Sequence, residues 1–495
     1  MNHFSSNQSV DERGVSWKIV LDVPPRGRVL ALGLGLGELL GLARTWDRVD
    51  GWDIDQKEKR DDSLPEHMDR RIRLLETMDR IDPPYHLIVV GRMVCDLWIL
   101  HAALADGGFL ACLGFRGCSI TPGKLKKTGF QSMTTLAAVP PRQPRLFFPQ
   151  EDRFQRRMGL SFHAPGRPWL GGLVSGLRFL VGAGWPVYPG WQGVLLARKS
   201  ADPGVISAGF IRFLGEKLRG RPDYWVIYAG SGLARRKMTI LVGNRQTGDA
   251  WIAKLADSPA GVEALHQESR ALAFLSRSAL SRQIPAIVID RESWMGHEMS
   301  LQTMVGRSGL AQVTRWTGGH GDFLLRLAGL GRHVRPLGDT ACWRRLVAAY
   351  EGGHPWPERV HTHFSHLLQE VRDGIEVPCC FVHGDFAPWN LRFDHGIMFV
   401  IDWEESEPDG LATTDLFHFF YSRLGRKQGF GPEQLFARFG QILAGKEWQW
   451  INMHEGMGTV IRSWLLQRFL CRNEPQALES LSLIVPGEKW PWKKG

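Results

Sequence analysis

Hydrophobic residues in the first part of the chain form short runs that alternate with helical patterns. An apolar run at 29–32 leads into closely spaced glycines, a helical pattern over 38–44 and a second apolar run. The segment PYHLIVV then predicts a strand, followed by a helix, a Gly-Gly turn and another strand. The run GVLLARKS at 193–200 predicts the last strand of this part. This alternation indicates a doubly wound α/β domain.

The pattern changes after the segment SADPGV, which has the composition of a linker. A helix is predicted over 207–219, followed by alternating strands with a hairpin turn at 244–249. The long helix GVEALHQESRALAFLSR comes next, and mostly helical sequence continues as far as Ser482. We therefore predict two domains, residues 1–200 and residues 207–495.

The stretch CCFVHGDFAPWNLRFDHGIMFVIDWEE, residues 379–405, predicts an apolar strand, a tight polar loop, a short strand, a turn and a second apolar strand. Asp385 and Asn390 lie in the loop, and the second apolar strand ends at Asp402. In phosphoryl transfer a hydroxyl nucleophile needs a carboxylate that orients it and takes its proton, and Mg²⁺ prefers amide and carboxylate oxygens. We therefore predict Asp385 as the catalytic base and Asn390 and Asp402 as metal ligands.

The order Asp-x-x-x-x-Asn, followed by an aspartate at a strand end, resembles the catalytic and metal-binding loops of protein-kinase-like enzymes. The variant HGDFAPWN followed by VIDWE is similar to the aminoglycoside phosphotransferase and choline kinase family, where HGD replaces HRD and DWE replaces DFG. This resemblance implies a two-lobed kinase-like fold, the cofactors ATP and Mg²⁺, and phosphorylation of a small-molecule hydroxyl. The alternative is that HGD is only a turn and that Asp402 caps a strand.

The nucleotide-binding residues implied by this resemblance lie upstream of the loop. Gly230, Ser231 and Gly232 are predicted to form a loop over the nucleotide phosphates. Lys254, on a later strand, is predicted to pair with the α- and β-phosphates and to be held by Glu268 of the following helix. Each of these two charged residues, taken alone, would also suit a solvent-facing position.

The N-terminal part carries a second candidate binding motif. Gly33, Gly35 and Gly37 follow the first predicted strand, and the second strand ends at Asp53. Glycines there let the backbone approach a ligand, and an acid at the end of the second strand can bind ribose hydroxyls. Over residues 28–113 this succession resembles the class I S-adenosylmethionine-dependent methyltransferase fold. The resemblance implies a Rossmann-like domain with S-adenosylmethionine as its cofactor.

The methyltransferase resemblance is incomplete. The acid that usually stands two positions before the first glycine is replaced by Ala31, and only Glu76 is a candidate for the acid that contacts adenine. No methyl-transfer signature such as Asn-Pro-Pro-Tyr occurs. A nucleotide-binding-type fold kept as a scaffold or specificity domain is therefore the alternative to a cofactor-binding domain.

Composition and charge add limits to these assignments. The chain has 495 residues and a formal net charge of +10, which favours acidic partners such as nucleotides. Because no long Lys/Arg run occurs, we expect no nucleic-acid partner. The seven cysteines form no CxxC pair, so neither a disulfide framework nor a zinc site is predicted, and a cytoplasmic location is expected.

Membrane association is a minor alternative. The N-terminus is polar and lacks the apolar segment of a signal peptide. The most apolar segment, 169–197, is interrupted by Arg178, Pro186 and Pro189, so it predicts buried structure or peripheral membrane contact rather than a spanning helix.

Three functions stay open on the sequence. The first is an ATP- and Mg²⁺-dependent phosphotransferase acting on a hydroxyl of a sugar, amino sugar or amino alcohol. The second is an S-adenosylmethionine-dependent methyltransferase whose kinase-like half is a substrate-binding or regulatory pseudokinase. The third is a non-catalytic nucleotide sensor, which the complete set of Asp385, Asn390 and Asp402 disfavours. The acceptor and the oligomeric state do not follow from the sequence.

Overall fold

The structure is a computed structural model that describes residues 17–18, 21, 23, 26–52, 70–77, 80–91, 96–113, 120–139, 146–149, 152, 154–155, 158, 193–199, 208–218, 220–229, 237–306, 315–352, 355–422, 431–452 and 456–484. The chain divides into two compact units. The first comprises residues 1–265 and 288–304, and the second comprises residues 266–287 and 305–495. The predicted domain boundary at 200–207 lies outside the described residues and remains a prediction.

Among the described residues, the first unit is built on one thirteen-stranded sheet. Its strands are β1 Arg28–Leu32, β2 Arg48–Trp52, β3 Ile72–Leu74, β4 Tyr85–Val90, β5 Leu104–Leu113, β6 Ser132–Val139, β7 Leu146–Pro149, β8 Gly193–Arg198, β9 Tyr224–Tyr228, β10 Lys237–Gly243, β11 Ala250–Ala256, β12 Ile287–Trp294 and β13 His297–Thr303. Its helices are α1 Leu36–Ala43, α2 Leu97–Ala103, α3 Pro122–Lys127 and α4 Ala208–Lys217. These bounds confirm the strands predicted at 29–32 and 193–200 and the helix predicted at 207–219.

The sheet begins with parallel strands and ends with antiparallel ones. Strands β3, β2, β1, β4 and β5 are neighbours in this order and run parallel, which is the 3-2-1-4-5 order of a doubly wound α/β sheet. Strand β8 is antiparallel to β5, and β6 is antiparallel to β8. Strands β9, β10, β11 and β13 form the antiparallel part.

The parallel strands β1, β4 and β5 are buried on both faces. On β1, Val29 and Ala31 belong to one hydrophobic cluster, whereas Leu30 and Leu32 belong to another. Successive side chains of a strand point to opposite faces, so apolar residues cover both sides of the sheet here. This burial explains why the strands appear in the sequence as uninterrupted apolar runs rather than as an alternating pattern.

Strand β7 connects the two parts of the sheet because it pairs with both β6 and β9. Leu146 of β7 lies opposite Tyr228 of β9. Nearby, the side chain of Gln155 accepts a hydrogen bond of 3.1 Å from the N–H of Trp225. Strands that were predicted to belong to separate domains therefore share a continuous sheet within the first unit.

The Gly-Gly turn predicted before β5 is wrong in its placement. Gly107 and Gly108 lie inside β5, where the pairing with β4 shifts register between Tyr85 and Leu87. Gly107 has a φ of +77°, which an irregularity in a strand can require and glycine adopts without strain. The strand therefore begins before the glycines instead of after them.

The second unit is mostly helical. Its strands are β14 His333–Pro336, β15 Glu376–Val382, β16 Leu391–Asp394, β17 Ile397–Val400 and β18 Glu407–Leu411. Its helices are α5 Pro259–Leu275, of which the residues from 266 belong to this unit, α6 Gly318–Ala328, α7 Ala341–Glu351, α8 Glu358–Arg372, α9 Thr414–Tyr421, α10 Pro432–Leu443, α11 Gln449–Asn452, α12 Met457–Arg472 and α13 Pro475–Leu481.

Two small sheets position the candidate catalytic loop in this unit. Strands β14, β15 and β18 form an antiparallel sheet with β15 in the centre, and β16 and β17 form a hairpin. Helix α12 packs against α7, α8, α13 and β15. The strand, loop, hairpin and turn predicted for residues 379–405 are confirmed.

No helix in the described part of the chain is long and apolar enough to cross a membrane. Most of the apolar segment 169–197 lies outside the described residues, which resume at Gly193.

Candidate functional site

The candidate catalytic loop connects β15 to the hairpin of β16 and β17. Strand β15 is buried over all but its first residue, so the loop leaves the core at a fixed point. The loop closes in the 3₁₀ turn Pro388–Asn390, where the leading proline suits the start of a helical turn. A second 3₁₀ turn, Trp403–Glu405, follows β17. The predicted residues Asp385, Asn390 and Asp402 therefore lie in or beside two neighbouring turns.

Two donors hold the carboxylate of Asp385. The indole N–H of Trp389 donates to Oδ2 at 3.2 Å, and Nδ2 of Asn390 donates to the same oxygen at 2.8 Å. Oδ1 lies 3.5 Å from Nε2 of His418. Within the described residues both hydrogen-bond donors thus bind Oδ2, and Oδ1 is the oxygen that can accept a hydrogen bond from a hydroxyl group.

The structure brings the other two predicted residues close to Asp385. Nδ2 of Asn390 also donates to the main-chain oxygen of Asp385 at 3.0 Å, so Oδ1 is the atom of this amide that can bind a metal ion. The Asp402 carboxylate is close enough to Asp385 to raise the pKa of Asp385. The three side chains therefore converge, and their assignment as base and metal ligands remains a prediction.

Asp402 has a left-handed backbone conformation, with a φ of +68°. A non-glycine residue keeps this conformation only when its surroundings hold it. The N–H of Trp403 donates to Oε1 of Glu268 at 3.2 Å, and the indole N–H of Trp403 donates to the main-chain oxygen of Val400 at 3.0 Å. These bonds hold the chain on both sides of Asp402.

His383 is a buried histidine that braces the loop. Its Nδ1 accepts the N–H of Asp385 at 3.2 Å, so we place the ring proton on Nε2, which donates to the main-chain oxygen of Ile401 at 3.0 Å. The ring packs edge-on against Trp403 with 4.5 Å between ring centroids. His383 thereby ties the start of the loop to the residue that precedes Asp402.

Asp415, for which sequence reasoning predicted no role, holds the backbone of the loop. It lies buried in the first turn of α9. Its Oδ2 accepts the N–H of His383 at 2.6 Å, and its Oδ1 accepts the N–H of Gly384 at 2.9 Å. Hydrogen bonds to a carboxylate are stronger than neutral ones, so this pair fixes the peptides ahead of Asp385.

Burial raises the pKa of Asp385 in the loop and of Asp415 in α9. It raises the pKa of Asp385 to about 6, with Asp402 adding to the rise and with Trp389 and Arg468 opposing it. It raises the pKa of Asp415 to about 7, against the effect of its two main-chain hydrogen bonds. Both carboxyl groups therefore titrate closer to neutral pH than exposed aspartates do.

A second layer of buried polar residues lies behind Asp385. Nη2 of Arg468, on α12, donates to Nε2 of His418, on α9, at 2.8 Å. Burial, with Arg468 beside it, holds the pKa of His418 well below its usual range. The Arg468 guanidinium also lies over the ring of Trp464 and is 3.4 Å from Glu474. Asp385 thus faces a neutral histidine supported by a buried arginine.

Glycine is required at position 384. Gly384 has a φ of +80°, and a Cβ there would lie 2.1 Å from the main-chain oxygen of Glu405. Gly384→Ala is therefore expected to lower the free energy of unfolding by about 2–4 kcal/mol, through backbone strain and a steric clash. Gly396→Ala is the matched control, because Gly396 has a φ of +79° and open space around it.

The control should lose only about 1 kcal/mol from its backbone conformation. Urea unfolding of the wild type and the two variants gives the comparison. Equal losses in the two alanine variants would show that the contact between positions 384 and 405 is unimportant.

The structure describes only two of the five residues predicted to bind the nucleotide in this part of the chain. Lys254 lies on β11 with a buried side chain, and Glu268 lies fully buried on α5. The two residues belong to different units, and their ion pair remains a prediction. Gly230, Ser231 and Gly232 lie outside the described residues.

The N-terminal glycines surround the start of α1. Gly33 has a φ of +62° between β1 and α1, and Gly37 lies in the first turn of the helix. The N–H of Gly35 donates to the Glu38 carboxylate at 2.8 Å. That carboxylate occupies a donor that an anionic group of a ligand would otherwise use. Asp53, the predicted ribose-binding acid, lies outside the described residues.

Comparison with protein families gives a match for the C-terminal part. Residues 230–450 match the model described as the phosphotransferase enzyme family, APH. The matched segment is similar to the family predicted for that part of the chain, and it includes the candidate catalytic loop. No curated protein matches the chain.

Solved structures of aminoglycoside phosphotransferases show low similarity to the chain. A thermostable mutant of APH(4)-Ia in its apo form is 16% identical, with 55% of this chain and 97% of that chain covered and a TM-score of 0.37. The complex of APH(2")-IIa with streptomycin and ATP is 14% identical, with 52% and 88% covered and a TM-score of 0.32. Spectinomycin phosphotransferase APH(9)-Ia with ADP and spectinomycin is 11% identical, with 56% and 92% covered and a TM-score of 0.34. These scores are too low to establish a shared fold.

Proposed function

We propose that the C-terminal part of this chain transfers the γ-phosphoryl group of ATP to a hydroxyl group of a small molecule, with Mg²⁺ as cofactor. The observation that carries the proposal is the convergence of Asp385, Asn390 and Asp402 inside the segment that matches the phosphotransferase family. The acceptor is proposed to be a sugar, an amino sugar or an amino alcohol, by resemblance to that family.

Asp385 acts as the base in this proposal. The acceptor hydroxyl donates a hydrogen bond to Oδ1, and its oxygen forms a bond to the γ-phosphorus. The bond from that phosphorus to the oxygen bridging to the β-phosphate breaks, ADP leaves, and the hydroxyl proton passes to Oδ1. The donors from Trp389 and Asn390 hold the carboxylate in position throughout, so little reorganisation is needed. A pKa of about 6 leaves Asp385 mostly ionised at neutral pH.

Asn390 and Asp402 fit a magnesium site by the chemistry of their donors. An amide oxygen and a carboxylate are hard oxygen ligands, which Mg²⁺ prefers. When bound, Mg²⁺ neutralises charge on the transferred phosphoryl group. Asn390 would have two tasks, because its Nδ2 orients Asp385 while its Oδ1 would be available to hold the ion.

Asp402→Asn is expected to weaken the binding of a non-hydrolysable ATP analogue in the presence of Mg²⁺ at least about tenfold, because the site loses its anionic ligand. In the absence of Mg²⁺ the variant and the wild type should bind the analogue equally. Calorimetric titration with and without Mg²⁺ measures both affinities. Asp394→Asn, in the hairpin that precedes Asp402, is the control and should bind as the wild type does. Equal Mg²⁺-dependent affinities for wild type and Asp402→Asn would remove Asp402 from the site.

The proposal is tested by the appearance of labelled γ-phosphate on a small-molecule hydroxyl, which should require Mg²⁺ and an intact Asp385. Phosphate binding by the glycine loop at 230–232, and by Lys254 held by Glu268, is part of the proposal and is supported by the order of these residues in the sequence. A cytoplasmic location and the lack of a nucleic-acid partner are supported by composition alone.

Binding of S-adenosylmethionine by the N-terminal part is a second candidate function. It is favoured by the 3-2-1-4-5 order of the parallel strands and by Gly33, whose positive φ lies where such sheets turn into their first helix. Calorimetric titration of the full chain is expected to show one S-adenosylmethionine bound per chain, and Gly33→Val is expected to abolish binding. The absence of both heat and a thermal shift in the wild type would leave this part as a scaffold.

A further inference from the structure

Three side chains of types that can bind metal ions lie close together on the three-stranded sheet of the second unit. His333 of β14 pairs directly with Cys379 of β15, so both side chains point to the same face. Strand β18 pairs with the other edge of β15, with Leu411 opposite Cys379. Asp409 stands two residues before Leu411, where the pairing of β15 with β18 shifts register, and its carboxylate lies close to His333 and Cys379. An imidazole, a thiol and a carboxylate therefore lie side by side on three adjacent strands.

The potential ligand atoms are close together. One ligand atom from each of His333, Cys379 and Asp409 lies within 4.8 Å of the others. Nε2 of His333 is 2.6 Å from Oδ1 of Asp409. The side chains of these two residues are 38% and 33% exposed, whereas Cys379 is fully buried. The cluster thus lies at the edge of the core, with Oδ1 of Asp409 buried and without a hydrogen-bond donor among the described residues.

Neighbouring groups fix the other polar atoms of this cluster. Nδ1 of His333 is 2.8 Å from the main-chain oxygen of Gly331, so Nδ1 carries a proton and Nε2 is the ring nitrogen that faces Asp409. Arg335 donates to Oδ2 of Asp409, which leaves Oδ1 on the side of His333. Ligating histidines and carboxylates in proteins are oriented by partners of this kind. Two lone pairs at such a distance repel each other unless a proton or a cation lies between them.

We propose that His333, Cys379 and Asp409 form a site for one zinc ion or a similar divalent cation. A set of nitrogen, sulfur and oxygen ligands suits Zn²⁺, and three protein ligands leave the fourth position to water. Tetrahedral coordination separates His333 Nε2 and Asp409 Oδ1 to about 3 Å, a small movement for two partly exposed side chains. No CxxC spacing marks this site in the sequence, because its ligands come from three strands. The site does not depend on the proposed phosphotransferase function.

Binding displaces the proton of the thiol. Metal ions bind the thiolate form of cysteine, so the proton on Sγ of Cys379 leaves when the ion binds. In the absence of metal, protonation of His333 at Nε2 would give an ion pair with Asp409. An ion pair without a metal site is the competing outcome of the test.

The bound ion connects the strands that support the catalytic loop. Strand β15 continues into His383, and β18 leads to Asp415, whose carboxylate accepts the N–H groups of His383 and Gly384. An ion held by Cys379 and Asp409 would join β15 to β18 close to the end of β15 from which the loop starts. The ion is therefore a structural brace, and its binding is expected to raise the unfolding temperature.

Cobalt is the probe for this site, because a thiolate–cobalt charge-transfer band appears only when cysteine binds the metal. The full chain is stripped of metal with a chelator and titrated with Co²⁺, and the band is expected to saturate at one ion per chain and to disappear when Zn²⁺ is added. Cys379→Ser should abolish the band. His333→Ala and Asp409→Asn should each weaken binding at least about tenfold.

Two control variants test whether cysteine or histidine residues outside the proposed site bind the metal. Cys471→Ser removes an exposed cysteine and His361→Ala removes a histidine that bonds Tyr350, and both variants should keep the band. Zn²⁺ should raise the unfolding temperature of the wild type but not of His333→Ala, whose replaced side chain is partly exposed and whose folding is not at risk. Failure of the wild type to give the band, or a band that persists in Cys379→Ser, would leave an ion pair only and overturn the proposal.

Discussion

Replacing Asp385 by asparagine is expected to lower kcat for phosphoryl transfer by about 10²–10⁴-fold, because the amide cannot take the hydroxyl proton. The amide is nearly the same size as the carboxylate and can still accept the hydrogen bonds from Trp389 and Asn390. Nucleotide binding and the free energy of unfolding should therefore change little. Steady-state kinetics together with calorimetric titration of nucleotide separates these quantities.

Asp394→Asn is the control for this comparison, because it removes a carboxylate from the adjacent hairpin and should keep wild-type turnover. The dependence on pH gives an independent check. Because burial raises the pKa of Asp385 to about 6 and the base works in its ionised form, kcat/KM should fall about tenfold per pH unit below that value. Near wild-type turnover in Asp385→Asn, or a flat profile down to pH 5, would exclude Asp385 as the base.

Asp415→Asn is expected to reduce both activity and stability. In asparagine one of the two carboxylate oxygens is replaced by an NH2 group. The oxygen can still accept one main-chain N–H, but the NH2 group then faces the other N–H, from His383 or Gly384, and cannot accept it. A buried N–H without an acceptor costs about 1–3 kcal/mol of the free energy of unfolding. The loop then shifts, and a displacement of about 1 Å at Asp385 is enough to lower kcat about 10²-fold.

Glu433→Gln is the matched control for Asp415→Asn, because Glu433 is also an acid in the first turn of a helix. This variant tests whether the loss of a negative charge at the start of a helix accounts for the effect. We expect its free energy of unfolding to change by no more than about 0.5 kcal/mol and its kcat to stay unchanged. Urea unfolding and kinetics on both variants give the result. Loss of stability in Asp415→Asn without loss of kcat would show that the two hydrogen bonds do not position Asp385.

The convergence of the three proposed site residues could be predicted because they are close in sequence. Asp385, Asn390 and Asp402 are separated only by a loop and a hairpin, so their spacing already implies that they meet. The tautomer of His383 could not be predicted, because it depends on the contacts of its ring with the N–H of Asp385 and with the main-chain oxygen of Ile401. The order of residue types therefore indicates the chemistry, whereas the protonation states depend on the packed structure.

The residues that support the loop could not be identified from the sequence. Asp415 bonds a main-chain N–H thirty-two positions earlier, and an acid at the start of a helix has a common local explanation. His418 and Arg468 are fifty positions apart and meet only because α9 and α12 lie together in the second unit. Contacts of this kind depend on helix packing, which sequence spacing does not specify.

The sheet of the first unit shows the same limit. Apolar runs predicted β1 and β8 because buried parallel and central strands are apolar throughout. The pairing of β7 with β9 was not predicted, because the partner and register of a strand depend on residues distant in sequence. The predicted pairing of Lys254 with Glu268 likewise concerns residues on separate elements and stays a prediction.

The most direct test of the central claim is a transfer assay with ATP labelled in the γ-phosphate and a library of hydroxyl-bearing metabolites. We expect the wild type with Mg²⁺ to place the label on a small molecule, and Asp385→Asn to place none there while still binding nucleotide. Label found only in inorganic phosphate for the wild type, or the same labelled product from Asp385→Asn, would contradict the assignment of this chain as a phosphotransferase.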